Sequence, residues 1–410
     1  MKQYADIKSS VLALPVIVAA IGYFVDIYDL VIFGIVRVAS LKELGLDGVQ
    51  ITNYGAMILN MQMAGMLLGG ILWGILGDKK GRLSVLFASI AIYSIANILN
   101  GFVTNVEQYA LLRFLAGIGL AGELGAGVTL TLELLPKESR GYGVMMIAGL
   151  GVTGAIAANV ISKVFDWRSA YIIGGVLGFV LFVLRVKMSE SAMFTSIANS
   201  HTASKGDFLS LFKDKYKLSK YLKSIASGLP LWFSVGILVM FAPEFGSALG
   251  VGEKINPGNA VMSCYIGLTF GDFASGYLSQ KLKSRRGVTA MFTVLAFLMF
   301  LIYINMYHVS AFAIYTACLF IGIACGYWAV FITVCAEQFG TNLRSTVAST
   351  VPNFVRGAVV PMSMAFIWLK AYYGVIGSAF IVGTVVFGLA FIAIYYLEET
   401  YHKELDYVEV

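Results

Sequence analysis

Six ionisable side chains, Asp26, Asp29, Arg113, Glu123, Asp272 and Arg356, sit inside long apolar runs of a 410-residue chain. At the centre of a bilayer each costs about 2.5 to 3.5 kcal/mol, so as a set they must face a cavity or one another. Asp26 and Asp29 are three residues apart and share one face of a helix, with Phe33 a turn further on. Two carboxylates so close in a low dielectric do not both ionise readily, which makes a pair able to load and release a proton. Arg356 lies in Pro352-Asn353-Phe354-Val355-Arg356-Gly357, with Asn353 on its own helix face. Its guanidinium fork matches a carboxylate or phosphate bidentately and stays charged at any cellular pH. The proline and glycine permit a bend whose freed carbonyls face a cavity. Two plainer readings stand beside these: Arg356 bridged to Asp29 or Asp272, and Glu123 locked to Arg113.

The runs that hold these charges define the class. The chain is 59% hydrophobic and only 13% charged, against roughly 25% charged in soluble domains. Apolar stretches long enough to cross a hydrocarbon core recur near 11–38, 53–76, 83–101, 107–134, 141–163 and 169–188, and again near 223–248, 257–281, 287–305, 310–338, 343–370 and 375–398. The expectation is an all-α integral membrane protein with twelve transmembrane helices in two six-helix halves, 1–188 and 223–398. A polar linker, 189–222, joins them, and a tail, 399–410, follows. The basic segment from Met1 to Ser10 precedes a long first stretch without a small-residue cleavage pattern, so that stretch reads as a retained span.

Basic residues set the orientation. Lys79, Lys80, Arg82, Lys137, Arg140, Arg185, Lys281, Arg285, Arg286 and Arg344 fall with the linker lysines on one side, while Arg37, Lys42, Lys163, Arg168, Lys254 and Lys370 make up the other. The positive-inside rule then puts both termini in the cytoplasm. The formal charge of +6 serves topology and not nucleic acid. Cys264, Cys318, Cys325 and Cys335 form no CxxC pair and read as packing residues. No phosphate loop, nucleophile elbow or metal-ligand cluster is present in the sequence, so neither an enzyme nor a metal site is expected.

The halves repeat internally. Glu133 to Arg140 has its counterpart in Glu337 to Arg344, with the same spacing, and Gly74 and Gly276 each open a basic loop after a span. Parallel repeats of this kind place a solute site near the midplane between halves.

Gly74-Ile-Leu-Gly-Asp78-Lys79-Lys80-Gly81-Arg82 resembles the loop signature of the major facilitator superfamily; its second copy, from Gly276, carries Gln280 where the acidic residue would be. The run from Arg113 through Gly117, Gly119 and Gly122 to Glu123, followed by Glu133 to Arg140, resembles the branch of metabolite:proton symporters, sugar porters and organic-ion transporters. Phe24 to Leu30 is similar to a segment of phosphate:proton symporters. The resemblance implies transport by alternating access, with Asp26, Asp29 and Glu123 as proton-coupling residues and the proton gradient, not a cofactor, as energy source. It implies an anionic solute at Arg356, since a basic residue in the eleventh helix goes with anions in organic-ion relatives. Around Arg356, the candidate cavity residues are Asn353, Tyr28, Gln62, Arg113, Trp232, Asp272, Tyr327 and Trp328, the aromatic ones equally at home against lipid or in packing. Gly74, Asp78, Arg82, Glu133, Arg140, Glu337 and Arg344 are candidate gate residues at the cytoplasmic ends. The expected function is proton-coupled uptake of a small organic anion such as a carboxylate by a monomer in a cell membrane, plausibly a bacterial inner membrane. A proton-driven exporter of a metabolite, chelator or drug is the alternative.

Overall fold

The computed structural model describes residues 14–186 and 208–404. The segment from Met1 to Ser10, most of the expected linker and the end of the tail lie outside the described residues. Among the described residues the chain is helical, with no strand.

The first half contains α1 (Leu14–Glu43), α2 (Gly48–Lys80), α3 (Arg82–Asn100) and α4 (Val106–Leu134). Its fifth crossing is broken into α5 (Lys137–Gly151) and α6 (Gly154–Val164), and α7 (Trp167–Arg185) is the sixth. After the short α8 (Ser210–Lys213), the second half opens with α9 (Lys215–Phe233), which runs into a π-helical turn at Ser234–Val239 and then α10 (Ala242–Ala248). There follow α11 (Pro257–Lys281), α12 (Arg285–Tyr303), α13 (Ala311–Cys325), α14 (Trp328–Glu337), α15 (Arg344–Gly357) and α16 (Val359–Tyr395). Among the described residues ten stretches are long and apolar enough to cross a membrane, one of them the 52-residue run Arg344–Tyr395. That run contains two crossings, because Gly374 sits at φ 67° and ψ −176° and breaks the helix there. With the less apolar α11, which carries Asp272, the crossings number twelve.

Glycines set the pseudo-symmetry of the bundle. Gly65 of α2 lies against the Phe114 carbonyl and Gly117 of α4 against the Gln62 carbonyl, so the two backbones touch where a Cβ on either would collide. The second half repeats this at its equivalent crossing, Gly267 of α11 against Leu319 and Gly322 of α13 against Cys264. Small residues at both crossings supply the close packing that holds helices together in lipid, where apolar burial gives no drive.

The ends of the helices repeat as well. Arg82 pairs with Glu133 at 2.9 Å in the first half, and Arg285 with Glu337 at 3.5 Å in the second. All four cysteines are buried and free.

Candidate functional site

Arg356 projects from α15 into the seam between the halves, and it is 1% exposed. Its Nη1 donates to Asn353 Oδ1 at 3.3 Å and its Nη2 to the hydroxyl of Tyr23 at 3.4 Å. The faces of Trp232 and Trp328 lie 5.7 and 5.5 Å from its Cζ, a cation–π cradle. The two indoles meet edge to face at 6.4 Å. No carboxylate pairs with Arg356 among the described residues, so the expected alternative of a bridge to Asp29 or Asp272 is not formed. The guanidinium is thus buried with Nε unpartnered and no carboxylate in contact, and Asp26 acts on it only from beyond ion-pair distance.

Asn353 fixes that geometry. Its Nδ2 donates to the carbonyls of Ser349 at 2.7 Å, on its own helix, and of Ala121 at 3.0 Å, on α4 of the other half. Asp272 lies on α11 and accepts from the Ala329 N–H at 3.0 Å, beside Trp328, with its Oδ2 unpartnered.

The first half holds the other four of the six charges expected within spans, Asp26, Asp29, Arg113 and Glu123. Glu123 is bound by both ends of the Arg185 fork, one contact at 2.7 Å and a second between Arg185 Nη2 and Glu123 Oε1. This corrects two expectations. The partner of Glu123 is Arg185 and not Arg113, and Arg185, counted among the loop bases, is buried at the last turn of α7. Its helix-end position concealed that the side chain folds back into the bundle. Arg113 donates to Asn97 Oδ1 at 2.9 Å and to the Asp29 backbone carbonyl at 3.0 Å, over the ring of Tyr171. Both carboxylate oxygens of Asp29 lack a hydrogen-bond partner, as does Oδ1 of Asp26. Gly174 of α7 leaves the room that the Asp29 carboxylate occupies.

Three expected cavity residues donate to backbone carbonyls, and of these Gln62 keeps an unpartnered Oε1. Tyr28 donates to the Ala170 carbonyl at 2.8 Å, Tyr327 to Ser227 at 3.1 Å and Gln62 to Leu30 at 3.3 Å. Tyr23, Asn97 and Arg185 belong to the site and were not singled out from the sequence. The one available signal for Tyr23 is its position three residues before Asp26, on the same helix face.

At one end of the bundle the halves are locked. Asp78 accepts from the N–H groups of Ser345 at 3.1 Å and Thr346 at 2.8 Å and from the Thr346 hydroxyl at 2.7 Å. A carboxylate of the first half thus caps the N-terminus of α15 in the second, where the first-turn N–H groups and the helix dipole favour it. Gly74 allows this approach, its Cα facing the Thr346 backbone. Glu133 receives both Arg82 and, across the seam, Arg344 at 3.1 Å. The Nε of Arg140 donates to the Leu132 and Leu135 carbonyls. Glu337 accepts from Thr400 at 2.8 Å as well as from Arg285. Gln280, which stands where Asp78 stands in the first copy, leaves its Nε2 unpartnered beside Gly141. The two copies of the loop therefore hold unequally.

Toward the opposite end a cleft of about 120 Å³ separates the halves, lined by Phe33, Gly34, Arg37 and Met63 from the first and Gly236, Met240, Glu244 and Val359 from the second. Gly236 and Val359 lie about one helical turn beyond Trp232 and Arg356, so the cleft leads to the arginine cradle. Arg37 and Glu244 face it from opposite halves without forming an ion pair.

Outside the membrane crossings, Glu399 in the tail accepts from the N–H groups of Arg285 at 2.8 Å and Arg286 at 3.3 Å, capping α12. Burial pushes its carboxyl up, but hydrogen bonds from Ser284 and from backbone N–H groups outweigh this and hold it below the ordinary range. A depressed folded pKa contributes stability above the unfolded value, about 4.3 for Glu, and that contribution is lost as pH falls through the folded value. Glu399→Gln is expected to lower the thermal midpoint at pH 7 by about 1 to 2 °C, a gap to wild type that closes only as pH falls below about 4 in a pH series of melting curves.

Residues 19–362 match the Major Facilitator Superfamily. A metabolite transport protein of Haemophilus influenzae is 31% identical over 207 residues, which are 48% of this chain and 50% of that one, so the chain spans half the length of that relative in the match. The gentisate transporter of Corynebacterium glutamicum is 26% identical over 409 residues, 93% of this chain and 88% of that one. Among solved structures, the proton:xylose symporter XylE superimposes with a TM-score of 0.77 at 16% identity, covering 98% of both chains. That likeness is one of fold.

Proposed function

The chain belongs to the Major Facilitator Superfamily, a family of membrane transporters and not of enzymes, and on that premise we propose that it carries a small organic carboxylate, coupled to protons, by alternating access. The carrying observation is Arg356, buried beside two indole faces with no carboxylate in contact among the described residues. A carboxylate supplies the complementary charge and fits the guanidinium fork, and the neighbouring indoles offer apolar faces to a planar body. Gentisate, the solute named for one relative, is an aromatic carboxylate of this kind.

In this reading the proton resides on Asp26 or Asp29. Each is buried, with carboxylate oxygens lacking a partner, whereas Glu123 is held by Arg185 and acts as a fixed charge beside them. Loading the proton removes a buried negative charge as the anion enters, so the loaded carrier crosses between its two states at lower electrostatic cost. The Arg82 end serves as the cytoplasmic gate, closed by Asp78, Glu133 and Arg344. As the halves rock, those contacts open and Arg37 closes on Glu244 at the other end. The direction of net transport follows the inward proton gradient.

Calorimetric titration of the detergent-solubilised protein with gentisate, benzoate, xylose and tetraethylammonium tests the substrate class. Binding of the two carboxylates alone is expected. Binding of the sugar or the cation, with no heat from either carboxylate, would contradict it.

A further inference from the structure

The Tyr23 hydroxyl is one of the polar atoms through which the two halves meet at the arginine cradle, beside the Asn353 contact with Ala121. It belongs to α1, yet it accepts from Trp328 Nε1 at 2.8 Å and from Arg356 Nη2 at 3.4 Å, both in the second half. The side chain is 2% exposed, and its ring is seated on Gly151, where a Cβ would collide with it. A phenol has two acceptor sites and one hydrogen. With both acceptor sites taken by the indole and the guanidinium, its hydrogen points away from both donors, and no described residue accepts it.

We infer that Tyr23 is a direct ligand of the transported anion, donating its hydroxyl hydrogen to the carboxylate oxygen that the Arg356 fork also holds. The inference rests on the reading of Arg356 as the anion site. It adds a third donor and draws it from the opposite half, so that the carboxylate contacts both halves at once. Trp328 then has two roles: one ring face against the anion's body, and an N–H that fixes the rotation of the Tyr23 hydroxyl. A solute without a carboxylate leaves that hydroxyl hydrogen unspent, which penalises isosteric neutral solutes.

Gentisate affinity of Tyr23→Phe, Trp328→Phe and Arg356→Lys, measured by calorimetry on protein shown to be folded by size exclusion and melting, separates the possibilities. Loss of a hydrogen bond to a charged group corresponds to about tenfold weaker binding in Tyr23→Phe. Trp328→Phe keeps a ring but frees the hydroxyl to rotate, and a loss of about threefold is expected, so this variant carries the test if Tyr23→Phe does not fold. Wild-type affinity in either folded variant, with binding lost in Arg356→Lys, overturns the role of Tyr23 and leaves the anion site standing. Wild-type affinity in all three removes the anion site itself.

Discussion

Replacing Arg356 with lysine is expected to weaken carboxylate binding by about 30-fold, the equivalent of roughly 2 kcal/mol. Lysine keeps the charge, so insertion and the electrostatics of the seam change little. What it loses is the planar fork: one guanidinium nitrogen is held by Asn353 and another faces Tyr23, while Trp232 and Trp328 flank it with their ring faces. A point charge on a flexible stem reproduces neither the bidentate contact nor the stacking. Asn353→Ala changes the same affinity through position alone, since Asn353 ties the arginine to the Ala121 carbonyl on the opposite half. Calorimetry on both variants checks this, and unchanged affinity in Arg356→Lys would make the arginine a structural residue.

Asp29→Asn is expected to abolish proton-driven accumulation while leaving exchange of anion for anion. For one proton per anion, each unit of pH gradient supports about tenfold accumulation, since a tenfold ratio and one pH unit are the same free energy. A carrier that cannot load the proton equilibrates its substrate and stops at a ratio near one. Asparagine is nearly isosteric with aspartate and fits the space left by Gly174, and Arg113 retains Asn97 and the backbone carbonyl of residue 29. Uptake of labelled gentisate into proteoliposomes, with and without a pH gradient, reads the ratio directly; accumulation by Asp29→Asn equal to wild type would move the proton to Asp26. The same measurement on Asp26→Asn then completes the assignment.

The architecture was legible in the sequence because hydrophobic length and the glycine and charge repeats are local signals. Apolar runs define the crossings, and the repeat from Glu133 to Arg140 and Glu337 to Arg344 announces two related halves. The clustering of the span-end charges was legible for the same reason. Asp78, Arg82, Glu133 and Arg344 all lie at the ends of spans, and the structure joins them at one end of the bundle. The pairing of the buried charges was not legible. Whether Glu123 meets Arg113 or Arg185 depends on which faces of α4 and α7 turn toward each other, and that is decided by packing across the bundle. Arg185 looked like a loop base because it ends its helix, and only its contact with Glu123 shows it turned inward. Tyr23 has no distinctive spacing as a tyrosine in an apolar run, and its hydrogen-bond partners Trp328 and Arg356 lie more than 300 residues away in the chain. Tyr28 and Tyr327 show the converse, since each had the right residue type and each hydroxyl is spent on a helix backbone.

The most direct test of proton-coupled carboxylate transport records internal pH and anion uptake together in one preparation of proteoliposomes bearing the wild-type protein. Acidification that begins with gentisate, scales with its uptake and is absent from protein-free liposomes is the predicted result. Uptake of gentisate with no proton movement, or proton movement driven by xylose and not by a carboxylate, would contradict it.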